Sequence, residues 1–335
     1  MTLISKALKS LILAPAVMTA VCCCSCSGKS DTEVQKTSSI SSNIKFNSDS
    51  AYANIADQLA FGPRIPGTEG NEACSQYIVN KLRSYGADSI REQRATVKAY
   101  TGETLPINNI MGAFNPSAKS RILLLAHYDT RPWSDGNPTQ TDFNEPVPGA
   151  NDGGSGVGVL LEIARLLSIY NPPVGVDMLF VDAEDYGQSS GFSNNDESWA
   201  LGTQYWVKNM PYAQDSLPRY AILLDMVGGI DAKFHREFFS NNTARDIVDK
   251  VWSIANRSGY GHRFVNVDGG AVVDDHVFVS RAGIPAIDII ESKNEVTKSF
   301  SPTWHTTEDN LDNIDRGSLK AVGQTVLNVI FREKP

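Results

Sequence analysis

Residues 121–130 read RILLLAHYDT: an unbroken apolar run from Ile122 to Ala126 that closes on His127 and Asp129. A short apolar run with no helical stripe is the pattern of a strand buried on both faces, as in a parallel sheet. The same pattern recurs, giving expected strands at Asn109 to Phe114, Arg121 to Ala126, Val176 to Val181, Tyr220 to Leu224 and Ala286 to Ile290. Between them lie stretches with apolar residues at helical spacing: Glu69 to Tyr85, Ser155 to Ile169, Trp199 to Lys208, Ala244 to Ser258, Asp275 to Arg281 and Asp315 to Phe331. Alternation of this kind predicts a three-layer α/β/α fold, with helices flanking a twisted, mixed and mostly parallel central sheet. In the first helix Cys74 shares a face with Tyr77, Ile78, Leu82 and Tyr85, so it reads as a buried, inert thiol.

Outward from this body the chain changes character. Residues 1–25 carry Lys6 and Lys9 ahead of an apolar run, Leu11 to Val21, too short for a membrane span and suited to the core of a secretory signal. Four of the five cysteines cluster at its end, Cys22, Cys23 and Cys24 within it and Cys26 directly after it. A small residue followed by Cys resembles the bacterial lipoprotein signal, with Cys26 as the expected lipid site and Cys22 as the runner-up. The chain is therefore expected to be exported to the periplasm, touching a membrane only through an N-terminal lipid. Residues 26–48 are polar and Ser-rich, the composition of a flexible tether. Residues 49–335 hold no second linker of this kind and read as one catalytic domain, expected to be monomeric. With 30 basic and 38 acidic residues the net charge is −8, which argues against a nucleic-acid partner.

The chemistry gathers where the expected strands end, the edge at which open α/β sheets bind ligands. LLLAHYDT ends on His127 and Asp129, LFVDAEDYG on Asp182, Glu184 and Asp185, ILLDMVGG on Asp225, and IDII on Asp288 and Glu291. Asp152 sits in GANDGGSGVG, a Gly-rich turn opening a helix; it lacks the Lys-Ser/Thr of a phosphate loop and the glycine spacing of a dinucleotide site. Carboxylates aimed at one place repel each other and resist desolvation unless a cation joins them. A mixed His/Asp/Glu set without a usable thiolate suits Zn²⁺. His235 and His262, in polar stretches, read as surface or packing residues, and His276 as an outer structural one.

The order of these residues, finishing in WHTTED at 304–309, resembles the co-catalytic zinc aminopeptidases and their relatives the glutaminyl-peptide cyclotransferases, over about 50–332. The aminopeptidase pattern implies two zinc ions: His127 and Asp225 on one, Asp185 and His305 on the other, Asp152 between them, and Glu184 as base. The cyclase pattern implies one zinc, held by Asp152, Asp185 and His305, with Glu184 and Asp225 handling protons and Asp274 as a further catalytic residue that hydrogen-bonds these carboxylates. The ligand set is common to both. Three features resemble the cyclases, in their bacterial branch of the animal type: Trp304 directly before His305; VDDHVFVSRAGIPAIDII with Asp274, Asp275 and His276; and the FGPRIPGT, AHYDTRPW and ESWALGTQYW tracts, in which Trp199 would supply an aromatic wall beside Trp304. Two positions depart from the pattern: Asp185 stands where many relatives have Glu, and Asp288 where animal cyclases have His. The resemblance implies cyclisation of N-terminal glutamine in peptides and proteins to pyroglutamate with release of ammonia. An aminopeptidase or a metal-free binding relative are the other readings. The loops Arg131 to Gly149 and Gly187 to Ser198 are expected to border the site.

Overall fold

The computed structural model describes residues 44–136, 141–189 and 196–335. The signal segment, Cys22, Cys26 and the tether as far as residue 43 lie outside these residues. Its six-stranded sheet is built from β1 (Ser89–Lys98), β2 (Thr104–Phe114), β3 (Arg121–His127), β4 (Gly175–Val181), β5 (Ala221–Leu224) and β8 (Ala286–Ile289), in the order β1-β2-β4-β3-β5-β8. Pairing is parallel from β4 through β3 and β5 to β8, while β2 is antiparallel to both β1 and β4. Strands β6 (Phe234–Arg236) and β7 (Phe264–Asp268) form a separate parallel pair. Among the described residues no helix is long and apolar enough to cross a membrane.

Strand β3 shows why the fold is layered. Ile122, Leu124 and Ala126 pack into one core with helices α1 (Ser48–Leu59), α2 (Glu69–Ser84), α3 (Gly154–Ile169), α6 (Arg245–Arg257) and α8 (Arg316–Ile330). Leu123 and Leu125 face the other way, into a second core with Trp206 of α4 (Leu201–Lys208) and Val279 of α7 (Asp275–Arg281). Successive strand side chains point to opposite faces, so an unbroken apolar run serves both layers at once. Cys74 is fully buried and free, and burial pushes its thiol up to about 12.

Several expectations shift. Strand β1 escapes a hydrophobic search because it is an edge strand: SIREQRATVK alternates exposed and half-buried positions, with charges that discourage pairing with another chain. Residues 44–48, assigned above to the tether, belong to the body: Ile44 and Phe46 are buried, Phe46 N donates to Gln324 Oε1 at 3.0 Å, and Gln324 Nε2 donates to Ile44 O at 3.0 Å. Helix α1 follows at once, with Asn47 accepting from Asp49 N and Ser50 N as its N-cap. The helix expected from Trp199 starts at Leu201, because Ala200 adopts a left-handed φ of 54° after a 3₁₀ turn at Asp196–Ser198. That break frees Trp199 to face the site.

Candidate active site

The carboxyl ends of β3, β4 and β5 deliver the acidic groups, each through a backbone turn that redirects the chain. His127 is the last residue of β3. Ala183 (φ 51°) turns the chain into Glu184 and Asp185, Met226 (φ 47°) follows Asp225, and His305 itself has φ 54°. Left-handed backbone at non-glycine residues is costly and collects where function fixes side-chain direction. Asp152 precedes Gly153, which has φ 81° and leaves no room for a Cβ: one would lie 2.5 Å from Asp129 O. Asp309 pins this turn from below, accepting from Asn151 N at 2.8 Å and Asp152 N at 2.9 Å. Asp129 does the same for the β4 turn, accepting from Glu184 N at 3.0 Å and Asp185 N at 3.1 Å.

These turns assemble two His/carboxylate triads that meet at Asp152. His127 Nε2 lies 3.1 Å from both Asp152 Oδ1 and Asp225 Oδ1. His305 Nε2 lies 3.0 Å from Asp185 Oδ1 and 3.6 Å from Asp152 Oδ2. Within each triad the potential donor atoms lie within 4.8 Å of one another, and every residue is buried. Both ligand sets implied by the sequence are therefore brought together.

Their supports differ. His305 Nδ1 is 3.1 Å from Asp135 Oδ1, and Asp135 is gripped by Arg131 through Nε and Nη2 at 2.6 Å each. Burial alone would raise the Asp135 carboxyl, but hydrogen bonds from His305 and Arg131 hold it well below the usual carboxylate range. A carboxylate on Nδ1 fixes the tautomer and leaves Nε2 with its lone pair toward a metal. Arg131, fully buried, also donates to Asp185 O at 3.1 Å and Gly187 O at 3.2 Å. Among the described residues Asp185 Oδ2 is buried without a hydrogen-bond partner, an acceptor suited to a cation. By contrast His127 Nδ1 faces Asp129 Oδ1 at the longer distance of 3.4 Å. Hard oxygen donors plus an oriented imidazole fit zinc at the Asp152, Asp185 and His305 triad. Asp135 and Arg131 were not singled out in the sequence; Asp135 reaches His305 across 170 residues, and no local motif announces such a pair.

Beside the triads the acids continue inward. Burial, then the neighbouring Asp274, pushes the Glu184 carboxyl well above its ordinary value. Burial raises Asp225 to about 7, Asp274 is raised for the same reason, and Asp288 is raised by burial and by Asp274. Asp274 caps α7, with its side chain accepting from Asp275 N. His276, expected in an outer role, is fully buried against Glu237.

Above this floor opens a cavity of about 400 Å³, lined by Asp152, Glu184, Asp185, Asp225 and Asp274 below and by Trp199, Trp304, Phe300, Phe239 and Ile290 along its walls. Both tryptophans expected at the pocket are in it. Trp304 stacks on the His305 ring with centroids 3.6 Å apart, and Trp199 stacks on it at 6.1 Å. Trp199 also receives the Arg131 guanidinium at 5.1 Å from its ring centre. Described parts of both loops expected to border the site do so: Arg131 and Asp135 support His305, and Gln188, Ser189 and Asp196 line the cavity.

The family model for peptidase family M28 matches residues 109–330. Among solved structures, the chain is 47% identical to a glutaminyl cyclase of Bacteroides thetaiotaomicron, covering 87% of this chain and 99% of that one with a TM-score of 0.83. It is equally 47% identical, over 87% and 99% with a TM-score of 0.82, to a structure described as a leucine aminopeptidase precursor from the same species. At greater distance, glutaminyl-peptide cyclotransferase from Bos taurus is 26% identical over 312 residues, covering 81% of this chain and 78% of the relative. A match that runs from within β2 to the end of α8 and includes every candidate metal residue places this chain in peptidase family M28, with a likeness to bacterial glutaminyl cyclase that extends along nearly that enzyme's whole length.

Proposed function

We propose that the protein is a glutaminyl-peptide cyclotransferase using one zinc ion, acting on peptides and proteins that begin with glutamine. The observation that carries this reading is the unequal preparation of the two triads under one aromatic-walled cavity: His305 Nδ1 is held by Asp135 Oδ1 at 3.1 Å, whereas His127 Nδ1 stands 3.4 Å from Asp129 Oδ1. Asp152, Asp185 and His305 would hold the ion, and when bound it supplies a Lewis acid for the γ-carbonyl of the glutamine.

The remaining work falls to the chain's own side chains. The nucleophile is the substrate's α-amine, already tethered to the carbonyl it attacks, so the enzyme needs only to fold the substrate and move one proton. Trp199, Trp304 and Phe300 wall a space for an uncharged side chain and exclude water that would compete with the amine. As the amine nitrogen bonds to the side-chain carbonyl carbon, Cδ, Glu184 takes one of its protons. It then delivers that proton to the side-chain nitrogen, which leaves as ammonia when its bond to carbon breaks. A carboxyl raised by burial suits both halves of this transfer. Asp225 and Asp274 border the same space and hold the amine and the leaving nitrogen.

The assembled His127, Asp152 and Asp225 triad favours the second reading, a two-zinc aminopeptidase. Metal analysis separates the two: the cyclase reading predicts one tightly held zinc per chain, and Glu184→Gln that keeps it while losing turnover. Two tightly held zinc ions, or an active Glu184→Gln, would refute it. Export as a lipoprotein acylated at Cys26 completes the proposal, tested by palmitate labelling that Cys26→Ala abolishes; labelling that survives in Cys26→Ala and disappears in Cys22→Ala moves the site.

A further inference from the structure

Behind the acids of the cavity floor lies a buried pair that the proposed chemistry does not use. Glu237, fully buried, stands at the start of α5 (Phe238–Thr243). Its Oε1 accepts from Phe239 N at 2.9 Å and Val272 N at 3.0 Å; its Oε2 accepts from Ser240 N at 2.7 Å and Ser240 Oγ at 2.8 Å and lies 3.1 Å from His276 Nε2. Helix capping needs only the first few of these. The others reach the chain on both sides of Asp274, at Val272 two residues before it and at His276 two residues after it. Ser240 Oγ also accepts from Asp288 N at 2.9 Å, and His276 Nδ1 lies 3.8 Å from Asp288 Oδ2. One carboxylate thus joins the ends of two helices, the end of β8 and the wall residues Phe239 and Val272 of the cavity.

The demand for such a clamp is electrostatic. Among the described residues no N–H or hydroxyl donor meets Asp274 Oδ2 or either carboxylate oxygen of Asp288, all of them buried, so these groups gain little from their immediate surroundings and repel one another when both are ionised. Backbone fastened on either side of Asp274 prevents it from swinging away from Glu184 and Asp225.

We propose that Glu237 and His276 are positioning residues for the reaction, clamping the backbone that flanks Asp274 so that its carboxyl stays on the floor of the cavity. The proposal rests on the cyclase reading. Because misplacement of a reacting group by about 1 Å costs up to a hundredfold in rate, Glu237→Gln and His276→Leu are expected to lower kcat on Gln-initiated peptides by about ten- to a hundredfold. KM and zinc content should change little. His276→Gln, whose amide N–H can stand in for Nε2–H, should recover most of the kcat lost in His276→Leu. If Glu237→Gln does not fold, the two His276 variants decide the matter. A folded Glu237→Gln with the kcat of the unaltered enzyme, or equal losses in His276→Leu and His276→Gln, overturns the positioning role alone. Absence of pyroglutamate from the unaltered enzyme overturns the cyclase reading and this proposal with it.

Discussion

Asp135 offers the sharpest perturbation of the metal site, because it touches His305 without itself belonging to the triad. The carboxylate accepts from His305 on one oxygen, and from Arg131 on both. Asp135→Asn preserves the shape but turns one acceptor into a donor, so Arg131 faces an N–H group in either orientation of the amide and His305 faces one or keeps only a neutral acceptor. Loss of such a partner typically weakens metal binding about 10- to 100-fold, or about 1.4–2.8 kcal/mol at 1.4 kcal/mol per tenfold. Asp135→Ala goes further, leaving a fully buried guanidinium with Asp185 Oδ1 at 3.4 Å as its remaining carboxylate, and breaking a buried pair costs up to about 3–5 kcal/mol. The Asn variant should therefore fold and bind zinc more weakly, and the Ala variant should lose much of its stability. Zinc competition against a chromophoric chelator, run beside thermal melts, separates the two effects. Unchanged zinc affinity in a folded Asp135→Asn would refute the assignment of His305 Nδ1 to Asp135, and with it the asymmetry between the triads.

Two further outcomes follow from the geometry. A Cβ added at Gly187 would lie 2.0 Å from Trp199 Cδ2, so Gly187→Ala should displace the indole from the cavity wall, raise KM for Gln-peptides and shift the tryptophan fluorescence, at an overpacking cost of about 1–3 kcal/mol; unchanged KM and fluorescence would show that Trp199 is not seated there. Glu333 is held below its ordinary 4.5, because Lys250, Tyr220 and Arg219 outweigh the opposing effect of burial. The unfolded chain therefore binds the extra proton first as pH falls, so this stabilisation is complete above pH 4.5 and disappears as pH drops toward the folded value. Urea melts should show Glu333→Gln less stable than the unaltered protein at neutral pH and the two converging in acid; a gap that persists in acid would show that packing, not charge, is responsible.

What the sequence revealed was whatever local pattern could carry. Strands β3 and β4 announce themselves as apolar runs, and each ends on the residues that enter the site, so the sheet and most of the triad residues were legible together. Trp304 and Trp199 could be named because each lies beside another recognisable feature. Asp135 could not, since its meaning comes from an imidazole far along the chain and a guanidinium four residues earlier. Glu237 was hidden for a similar reason: an acid ahead of a six-residue helix looks like an ordinary cap, and only the tertiary fold brings Val272 and His276 to it. Strand β1 was concealed by its position at the sheet edge, where solvent replaces the apolar signal with charge. The break before Leu201 depends on a left-handed Ala200, a conformation that alanine does not advertise.

The most direct measurement is mass spectrometry of two peptides that differ only in their first residue, incubated with the zinc-loaded protein. The Gln-initiated peptide should lose one ammonia and become resistant to Edman degradation, while the Leu-initiated peptide stays intact. Release of free leucine or glutamine, with no loss of ammonia from either intact peptide, would contradict the cyclase account and assign this site to hydrolysis.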